Sequence, residues 1–133
     1  MPTELAALAV ATMLGFAHVI AAWRAASLQR GYPWTASARD EPTPAANGIA
    51  GRLERVRKNY IESFAFFAAV ILVVHAGGAE SPGTAWAAWT FVVARTAYLI
   101  ASPSGVSFIA SMMANVAWLA ILTLLLAPVV PYW

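Results

Sequence analysis

Arg52, Arg55, Asn59 and Glu62 follow one another at spacings of three, four and three residues. On an α-helix, which turns about 100° per residue, those positions fall on one stripe, and Phe66 carries the stripe on into apolar sequence. A second set, Arg95, Tyr98 and Ser102, repeats the logic at spacings of three and four. Each residue type has a defined chemistry. Arginine forks donate to carboxylates, a carboxamide both donates and accepts, and a glutamate takes an ammonium group. The two sets together suit a small zwitterionic molecule that carries carboxylates. Glu54, Arg57 and Lys58 point elsewhere on the same helix, toward headgroups or water.

The elements that must position these groups belong in a bilayer. Of the 133 residues, 61% are hydrophobic and 11% charged, with a mean hydropathy of +0.68. A water-facing domain carries about 25% charged residues, so composition excludes both a soluble globular domain and a disordered chain. There is no cysteine, hence no disulfide framework and no thiol nucleophile. Four apolar stretches are long enough to span, at residues 4–26, 53–76, 84–101 and 106–130. The expected fold is therefore all-α, one domain over residues 1–133, an integral membrane four-helix bundle. The first stretch has no basic residue before it and Arg24 near its end, which argues against a cleaved signal peptide.

The connections are unequal. Residues 76–83 and 102–105 are tight Gly/Pro/Ser turns, so the second, third and fourth helices are expected to be antiparallel neighbours. Residues 27–52 form a long polar connection. From Arg24 to Lys58 the chain holds seven of its eight basic residues, which assigns that side to the cytoplasm and both termini to the other.

Charges inside spanning helices mark a partner, a cavity or a site. Glu62 lies ten residues beyond Arg52, and Arg95 seven before Ser102. At 1.5 Å per residue those depths are about 15 Å and about 10 Å, so the two charges either meet in a structural bridge or line one polar pocket. A bridge leaves Arg55, Asn59 and Tyr98 without a reason to share the stripes. Ser107, Ser111 and Asn115 form a small polar face on the fourth helix, with Asn115 expected in a helix–helix contact. His18 is expected to pack rather than bind a metal, and no metal site is expected. Trp34, Trp86 and Trp133 read as interfacial, and Trp89 and Trp118 as packing or lipid-facing. No phosphate loop or serine-hydrolase elbow is present, and the basic residues lack the interleaved aromatics of a nucleic-acid surface.

The run Arg52-x-x-Arg55-x-x-x-Asn59-x-x-Glu62-x-Phe64-x-x-Phe67, followed by Ala94-Arg95-x-x-Tyr98, resembles the MAPEG family, the membrane-associated proteins of eicosanoid and glutathione metabolism. Arg39-Asp40-Glu41 is similar to the short bacterial members, which implies a multi-pass protein of the bacterial inner membrane. The resemblance implies a homotrimer with glutathione as co-substrate, held between neighbouring subunits near the cytoplasmic face. A small lipophilic electrophile would come from the bilayer to be conjugated or reduced. Carried over residue by residue, Arg52, Arg55, Asn59, Glu62, Arg95, Tyr98 and Ser102 would hold glutathione, with Tyr98 and Arg95 at the thiol. The chain departs from the family twice. Ser102 stands where a second tyrosine is usual, and residues 104–113 lack the arginine that stabilises the thiolate. The competing expectation is a trimeric membrane protein without turnover, whose internal charges are bridges or a binding site only.

Overall fold

In a computed structural model, which describes residues 1–38 and 47–130, the chain forms five helices and, among the described residues, no strand. They are α1 (Thr3–Arg30), α2 (Tyr32–Thr35), α3 (Gly48–Ala76), α4 (Pro82–Ala101) and α5 (Ser107–Leu126). Three of them, α1, α3 and α5, are long and apolar enough to cross a membrane. Against the expectation of four spans, α4 falls short of that mark. Its 20 residues include Arg95, Tyr98, Trp86 and Trp89, which lower its hydropathy.

Helix ends are set by local chemistry. Ser81 and Thr84 make a reciprocal capping box at the start of α4, the Thr84 amide donating to the Ser81 hydroxyl at 3.1 Å and the Ser81 amide to Thr84 Oγ1 at 2.8 Å. The Thr84 hydroxyl also reaches the buried Glu4 carboxylate at 2.5 Å, which ties the first turn of α1 to this cap. α1 runs four residues past the expected boundary and stops at Gly31, whose φ of 88° few other residues adopt. α3 begins at Gly48, five residues before the expected start, because its polar first turns lie outside the apolar stretch that hydropathy detects. Its start is tied to the end of α1, the Asn47 amide donating to Gln29 Oε1 at 3.1 Å. α5 ends at Leu126, four residues short of expectation, since Pro128 has no N–H to continue the ladder. The connection expected at residues 27–52 thus contracts to 31–47 and contains α2, on which Trp34 lies under the Arg30 guanidinium at 4.7 Å. Arg39, Asp40, Glu41 and Trp133 lie outside the described residues.

α4 packs mainly on α5, and α1 on α3 and α4. α3 and α4, consecutive in sequence, make little backbone contact. Large side chains hold them apart, with Phe67 and Phe91 stacked at 4.0 Å between ring centroids and Arg95 below them. α1 instead comes close to α3. Its buried Ala7, Ala11 and Gly15 recur every four residues, the small-residue spacing that lets helices approach in lipid. The Tyr60 ring fills the space at Gly15, and its hydroxyl donates to the Ala11 carbonyl. His18 stacks on the other side of Tyr60 at 4.2 Å and bonds the Leu14 carbonyl through Nδ1 at 2.7 Å, a packed histidine as its surroundings in the sequence suggest.

A Cβ at Gly15 would stand 3.1 Å from Tyr60 Cε1, so a larger side chain must displace the ring. Gly15→Leu is expected to cost about 1–3 kcal/mol through overpacking of the α1–α3 seam. Thermal unfolding in detergent measures it, and an unchanged melting temperature would refute this account of the seam.

Candidate functional site

Where α3 enters the apolar layer, a cleft of about 470 Å³ opens between α3, the C-terminal end of α4 and the start of α5. α3 contributes Arg52, Arg55 and Asn59, and α4 contributes Tyr98 and Ser102. Five of the seven sequence-selected residues therefore share one cavity. They do so because residues three and four apart stack on one helical face, and both stripes sit at the same end of their helices. The far wall comes from α5, where Ser107 and Ser111 supply hydroxyls and Ala110 and Ala114 leave room. Asn115, the third member of that polar face, is not in the cavity lining and is exposed on α5.

The two arginines of the mouth differ. Arg55 is exposed beside the cleft, with its guanidinium free of any ion pair among the described residues. Arg52 is exposed too, but its Nη1 donates to the Pro103 carbonyl at 3.1 Å and so clips the α4–α5 turn to the first turns of α3. That turn must pass close under Arg52. Gly105, at a φ of 84°, allows it, and a Cβ there would meet Arg52 Nη1 at 3.8 Å.

Arg95 and Glu62 are not part of the cavity wall. Arg95 is wholly buried between α3 and α4. Its Nη1 donates to Asn59 Oδ1 at 2.7 Å and its Nη2 to the Asn59 carbonyl at 3.2 Å and to the Ser63 hydroxyl. Aromatic faces surround it, with Tyr98 at 5.2 Å and Tyr60 and Phe91 each at 5.9 Å from the guanidinium carbon. Its two terminal nitrogens are thus engaged and its charge is set against ring quadrupoles, while its Nε is buried with no hydrogen-bond partner among the described residues. Glu62 faces outward and is exposed. The Glu62–Arg95 bridge is not formed, because Glu62 sits one residue before Ser63, about 100° round the helix from the face that meets Arg95. Among the described residues Lys58 pairs with Glu54 at 3.7 Å and His75 hydrogen-bonds Glu80 at 2.8 Å, both away from the cleft.

Ser63 was not singled out from the sequence, although it stands four residues after Asn59 and so continues that side of α3. Tyr60 was passed over as well, since an aromatic in an apolar helix carries no signal of its own until Arg95 is placed above it. The resulting cavity has a distinct electrostatic character. Two guanidinium groups, a carboxamide and several hydroxyls line it, and among the described lining residues there is no carboxylate. Such a surface offers donors and positive charge at the mouth and neutral, hydroxyl-bearing walls within. Chemically it can receive an anionic group, and forked arginine donors match both carboxylate and phosphate.

No curated protein and no solved structure matches the chain. The family comparison does match, over residues 5–130, and takes in all five helices except the first two residues of α1. With three helices able to span a bilayer and a family match across nearly its whole length, the chain is an integral membrane protein that belongs to the MAPEG family.

Proposed function

We propose that the cleft between α3, α4 and α5 binds glutathione, or a related carboxylate-bearing thiol, and presents it to lipophilic electrophiles dissolved in the bilayer. The observation that carries this reading is the convergence of Arg52, Arg55, Asn59, Tyr98 and Ser102 on one cavity lined by donors and by no carboxylate. In this reading Arg55 pairs with a ligand carboxylate, Arg52 adds a second positive charge at the mouth, and Asn59 donates from the floor. Tyr98 and Ser102 donate toward the sulfur. Family membership makes glutathione the first thiol to test.

The proposal includes assembly of copies of the chain, as a homotrimer with the long connection facing the cytoplasm. An exposed carboxylate such as Glu62 within a spanning helix is costly against acyl chains. In the trimer a neighbouring copy covers it, and there Glu62 is available to the ammonium group of a ligand held between subunits. Seven of the eight basic residues, between Arg24 and Lys58, support the orientation.

One observation favours binding over fast turnover. The α5 wall offers Ser107 and Ser111 but no cation, and a free thiol with a pKa of about 8.5 needs a nearby positive charge to ionise at neutral pH. The second reading is therefore a glutathione-binding membrane protein with little conjugation activity.

Calorimetry on the detergent-purified protein is expected to register glutathione binding, and Arg55→Ala to weaken it about tenfold or more, the worth of one charged hydrogen bond. Absence of heat with the unaltered protein would remove the binding claim. Glutathione added at about pH 7 is expected to give little thiolate absorbance with the unaltered protein and a clear increase with Ser107→Arg, with conjugation of a generic aryl halide rising in parallel. Strong thiolate absorbance without the added arginine would contradict the account of the α5 wall.

A further inference from the structure

We infer that Arg95 is a positioning residue, which locks the Asn59 carboxamide with its NH2 group turned into the cleft, so that Asn59 selects a ligand acceptor such as a carboxylate or carbonyl oxygen. The inference deepens the reading of the cleft as a glutathione site and rests on it for the identity of the ligand, but not for the orientation of the amide.

The argument starts from what a guanidinium can do. Arginine carries five N–H donors and no acceptor. Whatever side-chain atom of Asn59 stands 2.7 Å from Arg95 Nη1 must therefore be the carbonyl oxygen, irrespective of how the two ends of the amide are assigned. The amide is planar, so its nitrogen points away from Arg95. Asn59 is half-buried and lines the cleft, which makes that NH2 the polar group it has left for a ligand. A free asparagine at the same position could turn either end inward and would accept as readily as donate. Arg95 removes that choice.

The lock is itself held firmly. Arg95 is wholly buried, and its second terminal nitrogen is engaged by the Asn59 carbonyl and the Ser63 hydroxyl, both on α3. The ring of Tyr98 closes one side, and Tyr60 and Phe91 close others. With the guanidinium fixed at both terminal nitrogens, rotation of Asn59 would break its bond to a buried charge, which leaves that charge short of a partner. Arg95 itself lines none of the cleft, so its influence on a ligand passes through Asn59.

The consequence is a division among three arginines of one protein. Arg52 and Arg55 stand at the mouth, where a ligand can meet them, and Arg95 stands behind the wall and sets the polarity of an uncharged residue. The cleft then carries donors from α3 at every polar position it offers.

The test is a double-mutant cycle read with glutathione, together with the side-chain amide signals of Asn59 in the 15N-labelled, ligand-free protein. Arg95→Lys retains the charge but not the fork. It is expected to weaken glutathione binding about tenfold in the unaltered background and to add nothing in the Asn59→Ala background, because coupled residues are not additive. Equal losses in both backgrounds, or none in either, would overturn the inference. Asn59→Asp keeps the Arg95 contact while turning an acceptor toward the cleft, and it is expected to bind glutathione more weakly than Asn59→Ala does. Binding at the unaltered level would count against the donor role. In the ligand-free protein the Asn59 NH2 protons are expected to show Overhauser contacts to the lining of the cleft, and these are expected to weaken in Arg95→Lys. Unchanged contacts would overturn the lock. If the unaltered protein does not bind glutathione, the reading of the ligand falls while the amide spectra still decide the inference.

Discussion

A guanidinium enclosed by helices in a lipid-embedded protein is the constraint around which the other elements are arranged. Placing an arginine at the centre of a spanning helix costs about 2.5–3.5 kcal/mol on insertion scales, before any partner is found. Arg95 meets that cost with Asn59 and Ser63 from α3 and with three aromatic faces. Those side chains need space, so α3 and α4 stand apart and the Phe67–Phe91 stack fills the layer above. Because α3 and α4 are held apart, α1 must close the seam, and it does so through small residues that let Tyr60 lie against it. The contact pattern of the helices follows from where one charge had to be put.

Helical spacing is the part of this that a one-dimensional pattern can carry. Intervals of three and four residues brought Arg52, Arg55, Asn59, Tyr98 and Ser102 to one cavity, since that geometry is local to each helix. Depth and pairing are not local. Glu62 and Arg95 lie near one level in their helices, but 100° of rotation separates Glu62 from Ser63, and only the second faces α4. Ser63 was silent for the same reason: a serine in an apolar run has meaning only once an arginine from another helix is opposite it. Neighbour relations were misread too, because a short turn between α3 and α4 says that the helix ends meet, not that their lengths touch.

Helix boundaries were legible from apolar content only where the membrane and the helix end together. At the start of α3 they do not. Residues 27–30 at the end of α1 and 48–52 at the start of α3 are helical but lie outside the apolar stretches, which is why a connection expected at residues 27–52 contracts to 31–47. On the first turns of α3, Arg52 and Arg55 supply the mouth of the cleft, while Glu54 and Lys58 pair with each other away from it. α4 errs in the opposite direction. It is fully helical, but Arg95, Tyr98 and two tryptophans lower its hydropathy, so the helix that carries the buried arginine falls short of the span mark that the other three long helices reach.

Three arginines of identical chemistry thus have different work, separated by burial for Arg95 and by a backbone partner for Arg52. Arg55 at the mouth keeps its fork available. Arg52 spends one donor on the Pro103 carbonyl and in doing so holds the turn that begins α5. Arg95 is buried, its two terminal nitrogens are committed to Asn59 and Ser63, and its effect on a ligand has to pass through what it grips. The positive charge of the site therefore sits at its entrance and behind one wall, never on the wall formed by α5. In the proposed reading a ligand carboxylate would meet charge at once, whereas a group lodged between Ser107 and Ser111 would meet only hydroxyls. That asymmetry favours holding an anion over activating a thiol, and it follows from which helix carries each charge rather than from how many charges the chain has.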